Sequence, residues 1–280
     1  MSAATPEVTP LLAGGVALRD VQQRALAVLE ALAGFCDRHG LRYYLVGGTL
    51  LGALRHEGFI PWDDDIDIAL PRADYQRLLA LADSLPRGLR AIHPSRDADT
   101  PYPFLVVRDA RSRLVIDYAR PFDRGIGVDV FPIDAVPAPG PRRDVLFKAI
   151  ALMRAWTMNK QQGYYPHRVA ASRQLRFLLL SLASQLCPST KIYRLYERLV
   201  ARGDVACSPY VGNLYGLYGR REVVQAEVFG EGGWVRFEGI RFRAPVQAER
   251  YLESVYGDFR HLPPPAQRRS GHRIRAVALG

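Results

Sequence analysis

The run Asp63-Asp64-Asp65-Ile66-Asp67-Ile68-Ala69-Leu70 limits the fold of this chain more than any other segment. Strand alternation sends Asp63, Asp65 and Asp67 to one face and Ile66, Ile68 and Leu70 to the other. The sequence therefore predicts a strand with one acidic face and one core face. Two carboxylates about 5 Å apart repel by roughly 3 kcal/mol at an effective dielectric of about 20, so a partly buried group of them calls for a proton or a cation. A divalent cation suits it, and oxygen-only ligands point to magnesium or manganese in preference to zinc. Asp64, on the opposite phase, is the weakest ligand candidate. An acidic run taken alone is more often a solvated loop end, so its surroundings decide the reading.

Those surroundings are a strand-forming stretch, Leu41 to Val46, then Gly47-Gly48, then a helix-forming stretch from Thr49 to Arg55. A glycine turn feeding a helix N-terminus offers free backbone N–H groups to phosphate. Glycine lets the chain approach an anion closely, and Thr49 is placed to cap the helix or contact phosphate. Before this unit, Val21, Ala25, Leu29 and Leu32 line one face of an amphipathic helix from Val16 to Cys36, with Gly40 as its stop. After it, a helix is expected from Asp74 to Leu85, with strands at Phe104 to Arg108, Leu114 to Tyr118 and Gly127 to Phe131.

Pro137, Pro139 and Pro141 mark a change of composition and a domain boundary. Beyond it helices are expected at Asp144 to Asn159, Arg173 to Leu186 and Lys191 to Arg202, then short strands within Trp234 to Ala244, a helix from Val246 to Tyr256, and an extended Pro263-Pro264-Pro265 run. The expected organisation is a flexible N-terminus (1–15), an α/β (α+β) core (16–136) with a mixed sheet and flanking helices, and a mainly helical region with short strands (137–280) whose tail completes the site.

The chain has 280 residues and a net charge of +10. That charge attracts polyanions, although arginines spread over solvated helix faces account for most of it. No specific nucleic-acid partner is indicated. No apolar stretch reaches the roughly 18 residues of a membrane span, and Met1 to Pro10 lacks the form of a secretory signal. A cytoplasmic location is expected, with peripheral contact at the inner membrane surface through the basic helical region. Cys36, Cys187 and Cys207 form no CxxC pair and are read as buried thiols. His39, His93, His167 and His261 have no ligand spacing.

The stretch from Tyr44 to Ile68, including Gly47-Gly48-Thr49, Arg55-His56-Glu57-Gly58 and Pro61-Trp62-Asp63-Asp64-Asp65-Ile66-Asp67, resembles the signature of the LicD family. That family includes bacterial phosphocholine transferases and the fukutin-related proteins. The resemblance implies a nucleotidyltransferase fold, with Asp65 and Asp67 as its Asp-x-Asp pair and Asp63 as the preceding aspartate. It continues at Gly127-Val128-Asp129-Val130-Phe131-Pro132, where Asp129 matches the third carboxylate, and at Pro245, Tyr251-Leu252 and Tyr256-Gly257-Asp258. It is faint through the helical middle.

The resemblance implies a transferase that takes a phosphate-linked group from a nucleotide-activated donor, such as a CDP-alcohol, to a sugar, glycan or lipid-linked hydroxyl. Asp63, Asp65, Asp67 and Asp129 are the expected metal ligands, and Asp129 either completes the metal site or accepts the proton of the attacking hydroxyl. Gly47, Gly48 and Thr49, with Arg55, His56 and Arg108, are the candidates for donor phosphates, and His272 is within reach of the site through the tail. The alternatives are transfer of a nucleotidyl group with release of pyrophosphate, and a non-catalytic basic binding protein. A glycosyltransferase leaves the Gly-Gly turn unexplained.

Overall fold

The computed structural model describes residues 11–97, 100–118, 121–162, 189–201, 203 and 205–280. Helix α1 (Leu18–Arg38) buries Val21, Ala25, Leu29 and Leu32, the face set by their spacing. Strand β1 (Tyr44–Leu45) leads into α2 (Gly47–His56), and β2 (Ile66–Pro71) into α3 (Arg72–Ala80). Next come β3 (Leu89–Ile92), β4 (Leu105–Asp109), β5 (Arg113–Ile116), β6 (Phe122–Asp123) and β7 (Gly127–Val136). The later elements are α4 (Pro141–Gln162), α5 (Ser189–Val200), β8 (Tyr210–Gly212), β9 (Val223–Gln225), β10 (Gly233–Phe237), β11 (Ile240–Ala244), α6 (Ala248–Tyr256) and β12 (Ile274–Ala278).

The main sheet has the order β1-β2-β7-β4-β3, mixed in direction, because β2 and β7 run parallel while the other pairs are antiparallel. Strand β7 does double duty. Its residues 127–133 pair β2 or β4, and its last three residues pair β8, which carries β9. A β10-β11 hairpin and a small β12-β5-β6 sheet complete the strands among the described residues. Ile66, Ile68, Val128 and Val130 are fully buried in the main core under α1. A second cluster joins Val136 of β7 to Phe147 and Ile150 of α4, Tyr193 and Tyr196 of α5, and Leu214 and Tyr215.

Several boundaries differ from the expectations. The strand expected from Asp63 begins at Ile66, so Asp63 to Asp65 lie on the connection leading into it. Helix α2 starts at Gly47 rather than Thr49, after an extended Val46. Helix α3 stops at Ala80 and gives way to a short 3₁₀ turn. Strands β3, β6, β8, β9 and β12 were not expected; all are short, and each is held by pairing with a neighbouring strand. Pro265 opens a 3₁₀ turn instead of extending the proline run. Cys36 is buried as expected, but Cys207 is exposed. The expected helix from Arg173 to Leu186, His167 and Cys187 lie outside the described residues.

Candidate active site

The parallel register of β2 and β7 sets Asp67 directly beside Asp129. Their apolar neighbours, Ile66 and Ile68 on one strand and Val128 and Val130 on the other, turn into the core. Carboxylate oxygens of Asp65, Asp67 and Asp129 come within 4.8 Å of one another, and so do those of Asp63, Asp64 and Asp65. The loop carrying Asp63 is pinned by Gln22 of α1, whose amide donates to the Asp63 carbonyl at 2.8 Å.

The start of α2 closes over this group. A Cβ on Gly47 would meet Asp67 Oδ2 at 2.7 Å, and one on Gly48 would meet Asp63 Oδ2 at 2.7 Å. Gly47 also has φ +56°, so any other residue there is strained as well as crowded. Thr49 is buried behind the centre, and its Oγ1 accepts the Asp67 backbone N–H at 2.8 Å. It braces the β2 strand instead of facing a ligand.

Crowding and burial govern the charge state. Burial, followed by repulsion from Asp65 and its neighbours, holds Asp63 and Asp67 well above the ordinary carboxylate range. Asp129 is pushed up to about 6 by burial, against the pull of Arg124. Asp64 goes the other way. Burial works to raise it, but hydrogen bonds from His272 and from Ser270 Oγ, the latter at 2.6 Å, hold it below the usual value. The His272 ring, 3.2 Å from Asp64, is in turn held protonated to about 9: burial opposes its charge, and Asp64 and Asp65 outweigh that. Convergent, partly buried, all-oxygen donors with surplus negative charge fit a hard divalent cation, so the group could hold a metal ion.

A cavity of about 640 Å³ opens over the aspartates. Part of its lining is aromatic, with Tyr102, Phe104, Tyr118 and Phe131; another part comes from α4, α5 and the 213–218 loop. That second part is fastened to the core by charge. Arg72, at the junction of β2 and α3, makes two 2.7 Å bonds to Asp134 of β7 and reaches Glu197 of α5 at 2.9 Å. The Tyr215 hydroxyl donates to the same Glu197 at 2.6 Å.

The sequence-derived candidates therefore separate into two sets. Gly47, Gly48, Asp63, Asp65, Asp67 and Asp129 line the cavity. Arg55, His56 and Arg108 do not. Helix α2 points its N-terminus at the aspartates, and its rise of about 1.5 Å per residue carries Arg55 and His56 away. Arg55 donates to the carbonyls of Phe259 and His261, and His56 is exposed. Arg108 is buried and spends its guanidinium on the carbonyls of Asp109, Asp123 and Ser112, filling the space above Gly125.

His272 reaches the centre, as its place in the tail suggested. Sequence reasoning missed Arg124, which donates to Asp129 at 2.5 Å, and Ser270. It also missed the tyrosines and Glu222 that line the cavity. No spacing rule connects these residues, since they come from segments far apart in the chain.

Residues 40–140 match the family described as LicD/FKTN/FKRP, nucleotidyltransferase domain. The lipopolysaccharide cholinephosphotransferase LicD of Haemophilus influenzae is 25% identical over 272 residues, covering 94% of this chain and 98% of that protein. The human ribitol 5-phosphate transferase FKRP is 46% identical over 54 residues, 19% of this chain and 10% of that protein. An uncharacterised protein of Rickettsia typhi is 44% identical over 64 residues, 21% of each chain. The named relatives are phospho-group transferases. This chain carries a LicD-family domain and is homologous to LicD cholinephosphotransferase over most of its length.

Proposed function

We propose that this protein transfers a phosphate-linked group, phosphocholine or another phospho-alcohol or phospho-sugar, from a nucleotide-activated donor such as a CDP-alcohol to a hydroxyl on a glycan or small molecule. The observation that carries this reading is the convergence of Asp65, Asp67 and Asp129 oxygens within 4.8 Å beneath the N-terminus of α2. Asp63, Asp65, Asp67 and Asp129 would hold magnesium or manganese, which supplies charge neutralisation at the donor diphosphate. The N-terminal turn of α2 at Gly47 and Gly48 borders the same space and favours anionic oxygens. Asp129, which lines the cavity, would either complete that metal site or accept the proton of the attacking hydroxyl. The core of residues 16–136 would carry the chemistry, and the region from 137 onward would shape the acceptor side.

A lipid-linked acceptor at a membrane surface is part of this reading, as is a cytoplasmic location. It is supported by the outer stripes of α4 and α5. Arg142, Val145, Lys148 and Leu152 on the first, and Lys191, Arg194, Leu195 and Arg198 on the second, are exposed together, a basic and apolar mix suited to anionic lipid. Among the described residues no helix is long and apolar enough to cross a membrane.

The test is turnover of a panel of CDP-linked donors and nucleoside triphosphates with magnesium or manganese, following CMP and pyrophosphate separately. CMP from one CDP-linked donor, lost in Asp67→Asn, is the expected result. Pyrophosphate from a triphosphate would instead assign nucleotidyl transfer.

A further inference from the structure

The aspartate centre contains a permanent positive charge. Arg124 sits between β6 and β7 with its side chain 3% exposed, and its Nη2 donates to Asp129 Oδ1 at 2.5 Å. The guanidinium lies 5.5 Å from the Tyr102 ring centroid, which covers it on the aromatic wall. Its field also reaches Asp65 and Asp64. Arginine does not shed its proton in a protein, so this charge is fixed whatever binds beside it.

Among the described residues, both carboxylate groups that could hold an ion, Asp63-Asp64-Asp65 and Asp65-Asp67-Asp129, thus have one member already engaged by a basic side chain. Asp64 is held by His272 and Asp129 by Arg124.

We propose that Arg124 is a resident cation that restricts this centre to a single divalent ion, and that it is a positioning residue acting through Asp129, in the place where a second ion would otherwise sit. The proposal rests on the metal-dependent transferase reading. A dication held by Asp65, Asp67 and Asp129 shares the Asp129 carboxylate with the buried Arg124 guanidinium, and the two positive charges repel. Removing the arginine charge should therefore strengthen ion binding while weakening transfer. Simple loss of structure would weaken both.

The experiment is manganese binding to the full-length chain, measured by calorimetry and by the electron paramagnetic resonance of free Mn²⁺, alongside turnover. The wild type should bind one ion. Arg124→Met or Arg124→Gln should bind a second ion, or bind the first at least about tenfold more tightly, while turnover falls about 10²-fold. Arg124→Lys, which keeps the charge, should bind one ion and recover most of the turnover.

Two ions in the wild type would overturn the proposal without any variant. Binding that is unchanged or weaker in the neutral variants would overturn it too. A wild type that binds no manganese would remove the transferase reading along with it, so the two failures are distinguishable.

Discussion

The two sides of the cavity are built in opposite ways. The acidic side is local: α2, the 61–65 connection and the paired strands β2 and β7 supply Gly47, Gly48, Asp63, Asp65, Asp67 and Asp129, with Asp67 and Asp129 fixed by strand register. The other side is assembled from α4, α5 and the 213–218 loop, and is joined to the core through Arg72, Asp134, Glu197 and Tyr215. On the first side the carboxylates outnumber their basic partners, Arg124 and His272, and repel one another. On the second they are already satisfied. The contrast teaches that one side is organised for chemistry at some cost in stability, whereas the other contributes stability and shape.

The largest effect that would break this contrast is at Asp67. Asp67→Asn should reduce transfer by about 10³-fold while leaving the melting temperature of the metal-free protein unchanged or higher, because a buried carboxylate among Asp65, Asp129 and Asp63 is relieved. Turnover and calorimetry on the same sample check both halves, and a fall in melting temperature would argue against stored repulsion.

On the opposite side the order should reverse. Arg72→Met leaves Asp134, 1% exposed, without its partner, and should cost about 3–5 kcal/mol of stability in urea unfolding.

A pH experiment sharpens the comparison at Glu222, which is buried on the cavity wall and accepts the Tyr218 N–H at 3.0 Å. Burial pushes its carboxyl up to about 7, from an ordinary value of 4.5. A carboxyl whose folded value is raised binds its proton more tightly in the native state, so its contribution is complete below the unfolded value and is lost as pH rises through about 7. Wild type should therefore lose up to about 3 kcal/mol between pH 5 and 8 from this group. Glu222→Gln should flatten that slope in denaturant melts at the two pH values.

The smallest effect is at Tyr215→Phe, which deletes one hydrogen bond to Glu197. It should cost about 1 kcal/mol and raise KM more than it lowers kcat.

Legibility in the sequence follows the same division. Alternation in Asp65-Ile66-Asp67-Ile68 gave away the acidic face, and the Gly-Gly turn gave away what covers it, because both signals are short-range. Arg108 and Arg55 were misplaced for the complementary reason. An arginine at the end of a helix or a strand can meet a phosphate or a backbone carbonyl, and only tertiary geometry decides; here carbonyls claim both. Arg124 was invisible because nothing within several residues marks it, and its partner Asp129 is reached by the bend at Gly125, φ +64°. Strand β12 stayed hidden because Ile274–Ala278 is held by pairing with β5 and not by its own pattern.

The sharing of β7 between two sheets has a further consequence. Asp129 and Asp134 lie five positions apart on one strand, so by parity they leave from opposite surfaces, about 17 Å apart along it. The strand acts as a gauge bar, with the aspartate-cluster end and the anchoring end machined into one part. Inserting a single residue between them would turn one carboxylate to the wrong surface, so the reach from the aspartate end to the helical wall is a fixed dimension of the fold.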